Sequence, residues 1–60
     1  MKHYIGYFKI VDALGHTWND SIFGWYEGLE AAKAGLLAEI KEDYGNEKGM
    51  TFIVTCVRVF

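Results

Sequence analysis

The chain has 60 residues, a formal net charge of −2 and a single cysteine. Sixty residues suffice for one domain, 1–60, and a chain of this size buries only about 60% of its unfolded surface. The negative charge balance argues against a general nucleic-acid-binding protein, because such proteins present a basic patch.

Neither a signal peptide nor a membrane span is evident in the sequence. Met1, Lys2 and His3 are not followed by an apolar core and a cleavage site, and no apolar run approaches the roughly 20 residues that cross a bilayer. We therefore expect a cytoplasmic protein without a membrane partner. The lone Cys56 cannot form a disulfide within the chain, and we expect it to be a small buried hydrophobe.

The first predicted element is a strand at residues 3–12, rich in aromatic and β-branched side chains. Both of its faces are apolar, with Tyr4, Phe8 and Ile10 on one face and Ile5, Tyr7 and Val11 on the other. A strand with one face in water should alternate apolar and polar residues. The pattern therefore predicts that both faces of this strand are covered, by the protein itself or by a partner.

A turn and a second strand follow. Asp12 suits the first position of a type I turn, and Gly15 can adopt a positive φ after it. A hairpin results, with the return strand at residues 16–26. Within that strand the polar residues 19–21 are compatible with a bulge, a loop or a device that protects a sheet edge.

Residues 28–44 carry the strongest helical pattern in the chain. The apolar positions recur at steps of three and four and fall on one arc, formed by Leu29, Ala32, Leu36, Leu37, Ile40 and Tyr44. Gly28 is an acceptable N-cap, and Gly45 is the expected stop after the last apolar position. Lys33 interrupts the apolar arc, either as a long stem whose ammonium reaches the edge or as a ligand contact.

The last predicted strand covers residues 50–60 and is almost continuously apolar. Hairpin, helix and strand together give an α+β fold of ββαβ topology: a three-stranded antiparallel sheet in the order 2-1-3, with one helix on one face. Which sheet face meets the helix stays open, because both patterns are apolar.

One helix covers one face of such a sheet, so the other face should form an apolar interface, most simply with a second copy of the chain. A stripe of small residues on the helix is a second candidate contact, because a mid-helix glycine costs about 0.5–1 kcal/mol and often has a packing reason. The predicted dimer or partner surface comprises Ile5, Tyr7, Val11, Ile53, Val57, Val59, Ala31, Gly35 and Ala38.

No motif for catalysis, cofactor binding or metal binding is recognisable. The two histidines, His3 and His16, belong to opposite ends of the predicted hairpin and cannot share a metal ion within one chain. His16 with Asp20 is the best local pair, and Ser21 lacks the glycine-framed turn of a hydrolase nucleophile. We predict a non-enzyme with no catalytic residue, no cofactor and no metal site.

Large aromatic and charged side chains near the polar segment are the candidate binding groups. Aromatic residues and arginine are the usual anchors of protein interfaces. The predicted binding surface comprises Trp18, Asp20, Trp25, Tyr26, Lys33 and Arg58. We expect the partners to be a second copy of the chain and another protein, rather than nucleic acid.

The layout of the whole chain, a hairpin, a polar bend, one acidic helix and an apolar last strand, resembles the small ββαβ proteins of bacteriophages and prophages. The resemblance implies a binding protein that inhibits a host protein or defence system. It also leaves open a protein that sequesters nucleotide signals, with a pocket at a dimer junction. A structural subunit of a larger assembly is the third alternative.

Overall fold

The computed structural model describes residues 1–44 and 49–60. It contains strand β1 (Lys2–Val11), strand β2 (Thr17–Tyr26), helix α1 (Leu29–Asp43) and strand β3 (Thr51–Val59). The three strands and the helix agree with the predicted elements to within one or two residues. The predicted helix stop at Gly45 and most of the polar connection after it lie outside the described residues.

The strands form one antiparallel sheet in the order β2-β1-β3, which confirms the predicted ββαβ topology of an α+β fold. β1 pairs with β2 over its whole length, from Lys2 opposite Tyr26 to Val11 opposite Thr17. Residues 19–21 therefore belong to a regular edge strand, without a bulge or loop against β1.

The hairpin turn is held by Asp12, as predicted. Its carbonyl oxygen accepts the Gly15 N–H at 3.1 Å, and its carboxylate Oδ1 accepts the Leu14 and His16 N–H groups at 2.9 Å each. Gly15 has a φ of 85°, a conformation that favours glycine. The turn fixes the register of β1 with β2.

The core lies between α1 and one face of the sheet, the covered face. It is built by Tyr4, Phe8 and Ile10 from β1 and by Ala32, Leu36 and Ile40 from α1. The structure thus settles which face meets the helix. The predicted helical arc is confirmed by its three buried members, whereas Leu29 at its start is exposed.

A bulge in β3 changes which of its residues share a face. The register with β1 shifts between Tyr7, opposite Cys56, and Phe8, opposite Val54, so that Thr55 is the extra residue. An extra residue reverses the alternation of side chains beyond it. Val57 consequently lies on the covered face and packs against the core, and Val59, two residues on, shares that face. The prediction that Val57 and Val59 lie on the uncovered face was wrong.

The bulge also places Cys56 and Arg58 on the uncovered face. Cys56 is exposed, so the prediction of a buried cysteine was wrong as well. The Thr55 hydroxyl donates to the Tyr7 carbonyl oxygen at 3.0 Å and holds the extra residue against β1.

Tyr26 explains the mid-helix glycine. A Cβ atom added to Gly35 would overlap the Tyr26 ring, and a Cβ added to Gly24 would meet the other side of the same ring. The ring is therefore held between two glycines of its own chain. The packing reason that the sequence suggested for Gly35 is intramolecular, whereas Ala31 and Ala38 of the same stripe are exposed.

Candidate functional site

The candidate site is the sheet face that no helix covers, which we call the open face. Directly opposed residues of antiparallel strands point to the same side of a sheet. The register therefore assigns to the open face residues His3, Ile5, Tyr7, Lys9, Val11, Thr17, Asn19, Ser21, Phe23, Trp25, Thr51, Ile53, Cys56, Arg58 and Phe60.

Four rings at one end of the open face form the aromatic cluster, made of His3, Phe23, Trp25 and Phe60. The imidazole of His3 stacks on the Trp25 ring with centroids 4.4 Å apart and planes inclined by 10°. Phe23 meets Phe60 edge to face at 4.9 Å. Such pairs stabilise each other by about 0.5–1.5 kcal/mol beyond their buried area.

The aromatic cluster is well exposed although its rings touch. Phe23, Trp25 and Phe60 keep 46%, 63% and 69% of their accessible surface. By contrast Ile5, between Phe23 and Arg58 in the sheet, is only 5% exposed. At this end of the open face, the surface offered to a partner is thus aromatic rather than aliphatic.

The predicted partner surface is therefore only partly reproduced. Tyr7, Val11 and Ile53 do lie on the open face, with Ile53 exposed. His3, Phe23 and Phe60 were missing from the prediction. The hairpin register would have found the first two, because the Asp12 turn places His3 opposite Trp25 and Ile5 opposite Phe23.

Two cations flank the aromatic residues of the open face. The Arg58 guanidinium lies 5.9 Å from the centre of the Tyr7 ring, and its Nη2 is 3.5 Å from the Tyr7 hydroxyl oxygen. That hydrogen bond raises the pKa of Arg58 above its ordinary value. Lys9 is exposed further along β1. A cation over a ring face is the favourable arrangement of both groups.

Charge is segregated between the two sides of the molecule. The only acidic residue within the three strands is Asp20, which pairs with Phe8 and so lies on the covered face. Helix α1 carries Glu30, Glu39, Glu42 and Asp43 on its exposed surface. The net charge of −2 therefore conceals an open face whose charged strand residues are both cations.

Trp18 and Asp20, two predicted binding residues, instead brace the end of the helix. The Trp18 indole N–H donates to the Tyr44 hydroxyl oxygen at 3.0 Å, and the Tyr44 hydroxyl donates to Asp20 Oδ2 at 2.8 Å. The hydrogen bond from Trp18 lowers the pKa of Tyr44. Burial and the neighbouring Asp20 carboxylate outweigh this effect, so the pKa of Tyr44 is raised. These side chains join β2 to the helix.

The six predicted binding residues do not form one surface. Trp25 and Arg58 lie on the open face, whereas Trp18, Asp20 and Tyr26 belong to the covered face. Lys33 is on α1, with Nζ 3.8 Å from Glu30 Oε1. It lines the α1–β3 groove, a shallow depression of about 690 Å³ between the helix and β3.

His16 is exposed and pairs with Asp12, so the local His16–Asp20 pair considered from the sequence does not form. The His16 Nδ1 atom is 3.1 Å from Asp12 Oδ2 across the exposed hairpin turn. Desolvation alone would raise the pKa of Asp12. The hydrogen bonds from His16 and Leu14 outweigh it, so the pKa of Asp12 is lowered. The pair stabilises a turn.

Within residues 1–44 and 49–60, no group of three histidine, cysteine or acidic side chains lies close enough to hold a metal ion. Helix α1 is too short and too polar to span a bilayer, and the described part of the chain contains no other helix. Comparison with protein-family models, curated protein sequences and solved structures finds no match for the chain.

Proposed function

We propose that the chain is a non-enzymatic protein-binding module that binds its partner through the open face of the sheet. The observation that carries this proposal is the aromatic cluster, whose rings are exposed beside Arg58. Aromatic residues and arginine supply most of the binding energy at protein interfaces. A contiguous exposed apolar patch is costly for a monomer and is typical of an interaction surface.

The charge of the open face indicates the chemistry of the partner. Lys9 and Arg58 are its charged residues within the strands, and both are cationic. A second copy stacked face to face would bring these cations towards each other, and like charges directly opposed are unfavourable. A different protein, with apolar groups and at least one carboxylate, complements the surface better.

The titratable groups of the described strands and turn support a binding role over a catalytic one. Asp12 and His16 hold the hairpin turn, and Asp20 holds Tyr44. Each carboxylate is thus engaged in maintaining the fold. Together with the phage-like layout, this favours an inhibitor of a host protein or defence system.

A single exposed cysteine suits the reducing cytoplasm.

The test is affinity capture from a bacterial lysate with matched baits. The wild-type chain, Trp25→Ser and Arg58→Glu are immobilised beside Leu14→Ser, which removes an apolar side chain that is 82% exposed in the hairpin turn, away from the open face. We expect a protein that is retained by the wild type and by Leu14→Ser. The two open-face variants should lose it at least tenfold.

Two results contradict this proposal. One is a wild-type bait that retains no protein above the Trp25→Ser background at high loading. The other is a captured protein that binds all four baits equally, because its contact then lies elsewhere on the molecule.

Sequestration of a nucleotide signal is the second candidate, and the Arg58–Tyr7 arrangement is the observation that favours it. A base could stack on an exposed ring while Arg58 or Lys9 meets a phosphate. Lys33, on the helix, is not part of this surface. A nucleotide at 100 times its dissociation constant should raise the free energy of unfolding by about 2.7 kcal/mol. An unchanged melting temperature across a nucleotide panel excludes this candidate.

A further inference from the structure

We propose that the free edge of β3 joins two copies of the chain, by antiparallel pairing of β3 with β3 of the second copy. The inference does not depend on the proposed function, because it uses an edge of the sheet and leaves the open face accessible. It rests on a difference between the two outer strands: a side chain caps an outward N–H group of β2, whereas the outward N–H groups of β3 beyond its bulge are uncapped.

The hydrogen bonds of the central strand show which backbone groups point outwards. The His3 carbonyl oxygen accepts the Phe60 N–H at 2.8 Å, and the Tyr7 carbonyl oxygen accepts the Thr55 hydroxyl at 3.0 Å. Odd-numbered residues of β1 therefore face β3. Because alternate residues of an antiparallel strand face opposite neighbours, the even-numbered residues face β2.

The outer edge of β2 is blocked at its middle by a side chain. Ser21 is opposite Tyr7, whose backbone faces β3, so the Ser21 N–H points away from the sheet. Asp20 Oδ1 accepts this N–H at 2.8 Å, and its other oxygen accepts the Tyr44 hydroxyl. A capped amide and a fixed carboxylate oppose the pairing of another strand at Ser21.

The outer edge of β3 lacks this protection beyond the bulge. Val57 is opposite Gly6 and Val59 is opposite Tyr4, and both of these β1 residues face β2. The N–H groups of Val57 and Val59 therefore point outwards. No side chain of the described residues hydrogen-bonds to either group. An unpaired edge of this kind is a template for strand addition.

The side chains beside this edge favour a second copy as its occupant. Val59 is 53% exposed and Val57 borders the α1–β3 groove, which Leu29 and Leu37 also line. In a twofold pair, the valines of each copy lie next to the valines and groove of the other. The groove also carries Glu30 and Lys33. One charge of each sign is self-complementary under a twofold axis.

Arg58 selects the register of the pair. Centring the twofold axis on Arg58 would oppose two guanidinium groups, which is unfavourable. Centring it on Val57 places Arg58 of each copy opposite Cys56 of the other. The result is a six-stranded sheet with both helices on one side. Because Asp20 caps the Ser21 amide in the middle of each outer β2 edge, we expect assembly to end at the dimer.

The first test is the mass in solution. Sedimentation equilibrium of the wild-type chain should give twice its 6.8 kDa mass, and Val59→Lys should weaken the dimer at least tenfold, because a charge on a strand edge opposes pairing. Thr17→Lys places the same charge at an exposed site on the β2 edge and should leave the dimer unchanged. Circular dichroism confirms that the variants fold.

A backbone variant separates edge pairing from a side-chain effect. A 60-residue chain is accessible to chemical synthesis, so the Val59 amide can be N-methylated without altering the side chain. This removes an outward donor and should dissociate the dimer. N-methylation of Phe23, whose amide points out from β2 by the same alternation, should not.

The register is tested by cross-linking. Arg58→Cys alongside the native Cys56 should give an oxidised dimer, and the double variant Cys56→Ser/Arg58→Cys should give none. A cross-link in the double variant shows an Arg58-centred register and contradicts the one proposed.

Three outcomes overturn the proposal as a whole. The first is a wild-type chain that stays monomeric at millimolar concentration. The second is a dimer that survives both Val59→Lys and N-methylation of Val59. The third is a wild-type assembly that grows beyond two copies.

Discussion

The two faces of the sheet show how one small chain divides its apolar residues. On the covered face, Phe8 and Ile10 are buried with Leu36 in the core and leave almost no surface for a partner. On the open face, Trp25 and Phe60 touch other rings yet remain mostly exposed. Burial in the first case stabilises the fold, whereas exposure in the second keeps binding energy available for a partner. Substitutions on the two faces should therefore affect different quantities.

The largest loss of stability is expected from Leu36→Ala at the centre of the covered face. Leu36 is fully buried and packs on β1, so its truncation leaves a cavity. The cost should be about 2–5 kcal/mol, which is most of the stability of a domain of this size. Urea denaturation measures it, with Ala34→Gly on the exposed side of α1 as a control expected to cost about 1 kcal/mol.

Gly35→Ala should come next, because the added methyl group overlaps the Tyr26 ring. Overpacking costs about 1–3 kcal/mol, and the better helix propensity of alanine offsets up to about 1 kcal/mol. A double-mutant cycle with Tyr26→Ser should show positive coupling, since the smaller side chain leaves room. Additive losses of unfolding free energy would contradict the proposed packing.

Tyr44→Phe tests the brace between β2 and α1. The variant loses the bonds to Trp18 and Asp20, so we expect a loss of about 1–2 kcal/mol in thermal denaturation. Tyr7→Phe is the matched control on the open face, where the hydroxyl makes one long contact at 3.5 Å. It should change stability by less than about 0.5 kcal/mol. Equal effects of the two variants would mean that the brace does not stabilise the fold.

Trp25→Ser should have a small effect on stability, under about 1 kcal/mol, because only the stacking on His3 is lost. Partner binding should fall sharply in the same variant. A loss of stability as large as that of Leu36→Ala would show that the open face is a second core rather than a binding surface.

A pH titration examines the exposed turn, which belongs to neither face. Because the pKa of Asp12 is lowered in the folded state, its contribution is present above the unfolded pKa and is lost as pH falls through the folded value. The wild type should therefore melt at a higher temperature than Asp12→Ala at pH 7. The difference should shrink below about pH 4. A constant difference would contradict this assignment.

The sequence was sufficient for the architecture and insufficient for the faces of β3. Helix periodicity and the Asp12 turn specify the elements and the hairpin register through local chemistry. The bulge at Thr55 has no such local mark, because threonine is an ordinary strand residue and no glycine accompanies it. The resulting shift misplaced Val57 and Val59. The Gly35 signal was real, but sequence alone could not show that Tyr26 was its cause.

The two tryptophans give the molecule one optical probe on each side of the sheet. Trp18 is part-buried and bonded to Tyr44, whereas Trp25 is exposed and stacked on His3. A partner that docks on the open face should shift the emission of Trp25 to shorter wavelengths and leave Trp18 unchanged, while unfolding should redden Trp18. With Trp18→Phe and Trp25→Phe variants, fluorescence can therefore report occupancy and folding separately, without an added label.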